Sequence, residues 1–263
     1  MKVTPLAAAS YRAPAPMLPC PLDRVAILCD FDGTLAELAP TPGEARPHPE
    51  ASAVLSRLEV ATGGAVAIVT GRPIATIDGL MGLPSLCVVG LHGLERRDRA
   101  GKVWRASPVP QALARARRSL QRLVAAHSRL LLEDKGLTLA VHYRAAPDLA
   151  DVVQEATARI VVRTRGALRQ LCGTMVFELA PQAASKGAAA ESLLTVPPFQ
   201  GRLPVYLGDD RGDEEAFRVV NALGGLSVRI GAPVPDSAAQ VGLESVAAAV
   251  AWLQALLRER GDA

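Results

Sequence analysis

Two carboxylates lie two residues apart in the segment 30–34, whose sequence DFDGT follows the apolar run Val25–Cys29. Side chains two apart in extended chain project to the same side, so Asp30 and Asp32 can face one site, and Gly33 lets the chain turn away at once. One carboxylate can then attack phosphorus to form an aspartyl-phosphate, while the other donates a proton to the leaving oxygen. The alternative interpretation is a helix-capping Asp beside a turn Asp.

A second group of carboxylates follows a later apolar run, at Asp209, Asp210 and Asp213. Anionic side chains can approach a phosphate dianion only if positive charge compensates them. A hard divalent cation with oxygen ligands, most simply Mg²⁺, would screen the repulsion and orient the phosphoryl group. We therefore predict that Asp209 ligates a metal, whereas Glu214 and Glu215 are interpreted as the acidic first turn of a helix.

Phosphate oxygens also require hydrogen-bond donors and positive charge. Thr70, Gly71 and Arg72 follow a second apolar run, where a hydroxyl and free backbone N–H groups can hold an anion. Lys186 precedes the apolar segment 188–194 and can neutralise developing charge; its alternative interpretation is a solvated surface lysine. These four residues are therefore candidates for phosphate binding.

The elements that must position these residues alternate between strands and helices. Short apolar runs predict buried strands at 25–29, 65–69, 86–89 and 204–207. Helical patterns lie between them, so we predict an open α/β sheet, whose ligands bind beyond the carboxyl ends of its strands.

The middle of the chain, from 107 to 181, has a different pattern. Two amphipathic helical patterns alternate with strand-like segments at 130–133, 137–144, 168–172 and 175–179. A turn at Gly173-Thr174 is predicted to join the last two as a hairpin. We predict an α+β module inserted into an α/β domain that spans 23–106 and 182–263.

Composition indicates a soluble protein that binds a small molecule. The 29 basic and 26 acidic residues give a formal net charge of +3, too balanced for a nucleic-acid or membrane surface. Aromatic residues make up 3% of the chain, which argues against a base-stacking platform, and the apolar runs are too short for a membrane span. We therefore expect neither a nucleic acid nor a membrane as a partner.

Cysteines and prolines give two further expectations. The four cysteines lie far apart without a C-x-x-C pair, so we expect neither a zinc site nor a disulfide framework, and reduced cytoplasm fits best. The proline-rich residues 1–22 predict a disordered tail rather than a secretory signal.

The chemical motifs occur in the order DxDGT, Thr70, Lys186 and the Asp209 cluster. This order resembles the haloacid dehalogenase (HAD) superfamily. The resemblance implies a Rossmann-like core with a larger, C2-type cap, in which Asp30 is the nucleophile and Asp32 the general acid/base. It also implies Mg²⁺ held by Asp30, the backbone carbonyl of Asp32, and Asp209, with Thr70 and Lys186 among the catalytic residues.

Further motifs in and around the inserted module are Glu133-x-Lys135, His142-Tyr143-Arg144, Gly173-x4-Glu178 and Gly90-Leu-His92-Gly93. Together they resemble the trehalose-6-phosphate phosphatase family. The resemblance implies hydrolysis of trehalose 6-phosphate, with the distal sugar bound by cap residues. The candidates for binding sugar hydroxyls are Glu133, Lys135, Arg144 and Glu178. His92 is assigned to the substrate-binding set, and this chain departs from the family at Thr174, where lysine is common, and at Gly212, where threonine is usual.

Two alternatives remain open at this point. One is another capped sugar phosphatase, acting for example on sucrose phosphate or mannosylglycerate phosphate. The other is a catalytically silent sugar-phosphate sensor, although binding alone requires no nucleophile and the chain has both Asp30 and Asp32. No segment is large enough for a glycosyltransferase, so we expect no fused synthase; a separate trehalose-phosphate synthase is kept open as a partner.

Overall fold

The chain folds around two β-sheets. The structure, a computed structural model, describes residues 17–258. Its strands are β1 (Val25–Cys29), β2 (Val66–Val69), β3 (Cys87–Gly90), β4 (Glu95–Arg97), β5 (Val103–Arg105), β6 (Leu131–Asp134), β7 (Leu139–His142), β8 (Leu168–Gly173), β9 (Val176–Pro181), β10 (Leu203–Gly208), β11 (Leu226–Ile230) and β12 (Val241–Leu243). Its α-helices are α1 (Ala51–Ala61), α2 (Ile74–Met81), α3 (Pro110–Ala126), α4 (Ala150–Arg163), α5 (Lys186–Leu194), α6 (Asp213–Ala222) and α7 (Val246–Arg258).

The larger sheet has eight strands in the order β12-β11-β10-β1-β2-β3-β4-β5. The strands from β12 to β3 are parallel, whereas β4 and β5 are antiparallel strands at one edge. The strand order reverses at β1, and sheets of this type bind ligands in the crevice beyond the carboxyl ends at such a point. Asp30 follows β1 and Asp209 follows β10, so these two carboxylates lie side by side at the crevice.

Helices cover both faces of the larger sheet. Val25, Ile27 and Cys29 of β1 pack on one face in a core shared with α1, α2 and α7. Ala26 and Leu28 pack on the other face with α5 and α6. Because both faces are buried, β1 needs an unbroken apolar run, which is why the strand was visible in the sequence.

The smaller sheet has four antiparallel strands in the order β6-β7-β9-β8. Helices α3 and α4 pack on it around a core of its own, which includes Leu120, Val141, Val153, Ile160 and Leu179. All these elements lie between β5 and α5 along the chain, so they form an α+β cap inserted into the α/β core.

The turn of the second cap hairpin differs from the prediction. Gly173 still pairs with Val176, so the turn residues are Thr174 and Met175, not Gly173 and Thr174. Met175 takes the left-handed conformation that this turn requires, with φ of 62°. The predicted position was wrong by one residue because a non-glycine residue supplies the positive φ.

The amino-terminal segment was predicted to be disordered over residues 1–22, of which 1–16 lie outside the described residues. Leu18 and Cys20 are partly buried against the core, and Leu22 begins a short 3₁₀ helix. Between residues 17 and 258, no helix has the length and apolar character to cross a membrane.

Candidate active site

A cleft of about 330 Å³ lies between the carboxyl ends of β1, β2 and β10 and the cap sheet. All of the predicted site residues line it: Asp30, Asp32, Thr70, Gly71, Arg72, His92, Glu133, Lys135, Arg144, Glu178, Lys186 and Asp209. The phosphate-directed and sugar-directed candidates, which lie on different domains, therefore face the same space.

Lys186 is the cationic centre of this cleft. Its Nζ lies 2.9 Å from Asp30 Oδ1, 2.8 Å from Asp213 Oδ1 and 3.8 Å from Asp210 Oδ1. Its side chain is only 3% exposed, which excludes the alternative of a solvated surface lysine. Burial lowers the pKa of Lys186, but Asp213 and Asp30 outweigh it and raise that pKa well above the ordinary value, so the ammonium group stays charged.

The start of α5 explains why the lysine points inward. The Ser185 hydroxyl caps the helix by accepting a hydrogen bond from the backbone N–H of Ala188 at 3.0 Å. A Cβ at Gly187 would lie 2.8 Å from Glu215 Cβ, so glycine there allows α5 to approach α6 closely. This close packing brings Lys186 next to Asp213 at the first turn of α6.

Asp213 organises the loop that carries Asp209. Its carboxylate accepts four hydrogen bonds, from Lys186 Nζ and Tyr206 Oη at 2.8 Å each and from the backbone N–H groups of Asp209 at 3.0 Å and Asp210 at 3.1 Å. Burial raises the pKa of Asp213, but Lys186 and these bonds lower it below its ordinary value. No role could be assigned to Asp213 from the sequence, because its partner Lys186 is 27 residues away along the chain and the other three bonds depend on how the loop after β10 folds.

Asp32 is held by Arg72. The guanidinium donates Nε–H to Oδ2 and Nη2–H to Oδ1, both at 2.7 Å, and its carbon lies 5.4 Å from the centre of the Phe31 ring. Arg72 was predicted to bind phosphate. In this structure two N–H groups of its guanidinium donate to Asp32 instead. Thr70 Oγ1 accepts a hydrogen bond from the backbone N–H of Arg72 at 3.2 Å, which supports this arrangement.

The carboxylates of the cleft fit a hard divalent cation. Asp30, Asp209 and Asp213 each offer an oxygen within 4.8 Å of the others. A Cβ at Gly33 (φ 76°) would lie 2.1 Å from Asp209 Oδ2, so glycine there leaves room for that carboxylate. Burial and then Asp210 and Asp213 raise the pKa of Asp209 to about 8, so a cation beside this carboxylate would favour its ionised form. An oxygen-only, electron-rich set of this kind suits Mg²⁺.

The cap side of the cleft is a polar cluster that reaches the core. Lys135 Nζ donates to Glu178 Oε2 at 2.9 Å and to the carbonyl of Gly71 at 3.0 Å, and His92 Nε2 lies 3.4 Å from Glu178 Oε2. Burial raises the pKa of Glu178, but Lys135 and His92 together lower it far below its ordinary value. Glu178 is therefore an ionised carboxylate that joins the cap to the core.

Known proteins resemble this chain in sequence. The family model for trehalose-phosphatase matches residues 28–246. The chain belongs to the trehalose-phosphatase family. A probable trehalose-phosphate phosphatase of Sinorhizobium fredii is 41% identical over 218 residues, covering 83% of this chain and 82% of the relative. The trehalose-6-phosphate phosphatase of Escherichia coli is 40% identical over 204 residues, covering 77% and 76%.

A solved structure shares the fold of this trehalose-phosphatase family member. The C-terminal domain of C. albicans trehalose-6-phosphate phosphatase superposes with a TM-score of 0.80 at 21% identity, covering 89% of this chain and 92% of that chain. The predicted HAD-type α/β core with an inserted α+β cap is confirmed.

Several cleft residues of this trehalose-phosphatase family member were not found by sequence reasoning. Arg169, on β8 of the cap, donates to the carbonyl of Ala184 at 2.9 Å and to Glu215 Oε1 at 3.0 Å, which gives a second cap-to-core link. Arg211 also lines the cleft. No local signal marks the Arg169 contact, because its partner Glu215 is 46 residues away along the chain.

Arg144 and Glu133, the remaining cap candidates, have partners within the cap. Arg144 Nη2 donates to the carbonyl of Thr174 at 3.3 Å, and His142 Nε2 lies 2.8 Å from Glu133 Oε2. Burial raises the pKa of Glu133, whereas the bond to His142 and the charge of Lys135 lower it, and the net change is downward. Glu133 therefore presents an ionised carboxylate to the cleft.

Proposed function

We propose that this chain hydrolyses trehalose 6-phosphate to trehalose and phosphate through an aspartyl-phosphate formed on Asp30. Membership of the trehalose-phosphatase family supports this reaction. The observation that carries the proposal is the single cleft in which the carboxylate pair faces the polar cluster of the cap.

Asp30 has the surroundings that a nucleophile needs. Its carboxylate is buried, and the Lys186 ammonium lies 2.9 Å from Oδ1. Burial raises the pKa of Asp30 well above the ordinary value, whereas the charge of Lys186 lowers it and so favours the ionised, nucleophilic form. In the first step a carboxylate oxygen of Asp30 forms a bond to phosphorus while the bond from phosphorus to the sugar oxygen breaks. The electron pair leaves with the sugar oxygen, and the ammonium of Lys186 offsets charge at the Asp30 end.

Asp32 is proposed as the general acid and base. When protonated, it gives its proton to the departing sugar oxygen, which yields trehalose. The resulting carboxylate, which is the form that Arg72 holds in this structure, then takes a proton from the water that attacks the aspartyl-phosphate, so the acid is restored for the next turnover. Hydrolysis restores the Asp30 carboxylate and releases phosphate. The two bonds from Arg72 hold the Asp32 carboxylate in one orientation, while a third of the side chain stays exposed to the cleft.

Mg²⁺ is proposed to be held by Asp30, Asp209 and the backbone carbonyl of Asp32, where it would compensate the charge of the carboxylates and the phosphate. Both oxygens of Asp213 already accept hydrogen bonds, so Asp213 is assigned to positioning Lys186 and the loop. Thr70, Gly71 and Lys186 are proposed to contact the phosphoryl group.

The cap is proposed to bind the glucose distal to the phosphate. Ionised Glu133 and Glu178 accept from sugar hydroxyls, whereas Lys135 and Arg144 donate to them. These side chains line the same cleft as Asp30. A disaccharide with many hydroxyls and charge only on its phosphate suits this mixed set of carboxylates and cations.

The test is a panel of phosphorylated sugars with the purified, Mg²⁺-loaded protein. We expect kcat/KM for trehalose 6-phosphate to exceed the values for sucrose phosphate, mannosylglycerate phosphate and glucose 6-phosphate. Glucose 6-phosphate should react poorly, because it lacks the second sugar whose binding orients the phosphoryl group. Equal turnover of sucrose phosphate would contradict the substrate assignment, and no hydrolysis even of an aryl phosphate would indicate a sensor.

A further inference from the structure

The cleft contains six cationic side chains: Arg72, Lys135, Arg144, Arg169, Lys186 and Arg211. Each of the first five donates to a carboxylate or carbonyl oxygen of the protein. Arg211 is exposed, and among residues 17–258 its guanidinium has no hydrogen-bond or ion-pair partner. It is therefore the cation that can bind a ligand without first giving up a protein contact.

Arg211 lies where the core meets the cap. It belongs to the segment 209–212 between β10 and α6, directly after Asp209 and Asp210. The hairpin turn of the cap reaches this segment, since a Cβ at Gly173 would lie 3.3 Å from Asp210 Oδ2. Burial raises the pKa of the Cys172 thiol and Arg211 opposes that rise, which is consistent with a guanidinium beside the cap hairpin.

The phosphate end of the cleft has other sources of positive charge. Lys186 lies within 2.9 Å of Asp30, and the Asp30 and Asp209 carboxylates suit a divalent cation. Among the described residues Arg211 makes no hydrogen bond or ion pair with this cluster, and it lies near enough to Cys172 of β8 to oppose the rise in the pKa of that thiol. Its planar fork of five N–H donors can bond two neighbouring hydroxyls together, which a single ammonium does less well.

We propose that Arg211 is a specificity-determining residue that donates hydrogen bonds to the sugar hydroxyls of the substrate at the junction of core and cap. This inference rests on the proposed function, because it assumes a sugar phosphate in the cleft. Arg211 would thus be a substrate-binding residue on the core. It would act in addition to the cap residues Glu133, Lys135, Arg144 and Glu178.

The test compares Arg211→Ala, Arg211→Lys and the control Arg218→Ala, with kcat and KM measured separately. Arg218 is also exposed and lies on α6, but it does not line the cleft, so its removal makes the same change in net charge outside the site. For Arg211→Ala we expect kcat/KM with trehalose 6-phosphate to fall about 5- to 150-fold, mainly through KM. The kcat/KM of Arg211→Lys should lie between those of wild type and Arg211→Ala, and the kcat/KM of Arg218→Ala should equal that of wild type.

Hydrolysis of a small aryl phosphate separates a sugar contact from other roles. All three variants should hydrolyse it at the wild-type rate, because it has no sugar to lose. Unchanged kinetics of Arg211→Ala with the sugar phosphate overturn the inference, as does a parallel loss with both substrates. If wild type prefers another sugar phosphate, the proposed substrate is wrong and the same ratios measured with that sugar phosphate still decide the role of Arg211.

Discussion

Replacing Asp213 by asparagine tests whether this buried carboxylate holds the catalytic cluster together. Asparagine keeps one oxygen and replaces the other by an NH₂ group, which donates but cannot accept. If the NH₂ faces Lys186 and Tyr206, donors meet donors where two bonds of 2.8 Å now lie. If the amide is turned around, the backbone N–H groups of Asp209 and Asp210 lose their acceptor instead.

The magnitude follows from the partners that remain. Removing one member of a buried ion pair typically costs about 3–5 kcal/mol. Lys186 keeps Asp30 at 2.9 Å, and loss of the Asp213 charge relieves repulsion that raises the pKa of Asp30 and Asp209. We therefore expect Asp213→Asn to lower the free energy of unfolding by about 3 kcal/mol, the lower end of that range. This loss is a large part of a typical total stability of about 5–15 kcal/mol.

Tyr206→Phe is the matched control, because it removes one hydrogen bond to Asp213 and leaves the pair with Lys186. It should cost about 1–3 kcal/mol and no more than Asp213→Asn. The measurement is urea unfolding at pH 7, together with the turnover of an aryl phosphate, which should fall sharply only in Asp213→Asn. An Asp213→Asn protein within about 1 kcal/mol of wild type would refute the positioning role, since one hydrogen bond alone is worth that much.

Three further predictions concern chemistry, the cation and the cap. Asp30→Asn should abolish turnover and Asp32→Asn should lower kcat by about 10²- to 10⁴-fold with circular dichroism unchanged; near-normal turnover by Asp30→Asn refutes the mechanism. The pKa of Asp209 rises from 3.8 to about 8 on folding, so between these pH values the metal-free folded protein holds a proton that the unfolded chain has released. Raising the pH removes this proton at a cost to the folded state, and in chelator the Tm should therefore fall as pH rises from about 4 to 8. Mg²⁺ should raise Tm more at pH 8 than at pH 5.5, and a pH-independent shift contradicts the assignment of Asp209. Lys135→Ala should lower kcat/KM for trehalose 6-phosphate about 5- to 150-fold but leave aryl phosphate hydrolysis unchanged; parallel losses indicate a folding role.

The sequence was most informative where chemistry coincides with local structure. Val25–Cys29 is apolar throughout because both faces of β1 are covered, and that pattern marked the strand end at which Asp30 stands. The same logic located Thr70 after β2 and Asp209 after β10. Parallel strands bring their carboxyl ends to one edge, so a shared site followed from topology alone.

Contacts between distant segments were not predictable from those patterns. Whether Lys186 points inward depends on how closely α5 packs on α6. Gly187 permits this close packing, but a glycine at that position does not predict it from sequence. The pair of His92 and Glu178 joins residues 86 apart in sequence, and it depends on how the cap sits on the core. The sequence alone therefore does not distinguish a solvated lysine from a buried one, because the difference depends on how the two helices pack.

The pairing of β1 with β10 also determines when the active centre can form during folding. Val25 pairs with Leu203, and the chain between them contains β2 to β5, the whole cap and α5. Closing so long a loop has an entropic cost that must be met before this contact stabilises the sheet, so such pairings form slowly. Helices and cap hairpins can form earlier from local contacts, yet Asp30 and Asp209 meet only after this step. Recovery of activity during refolding should therefore follow the long-range strand pairing and lag behind the recovery of helical circular dichroism.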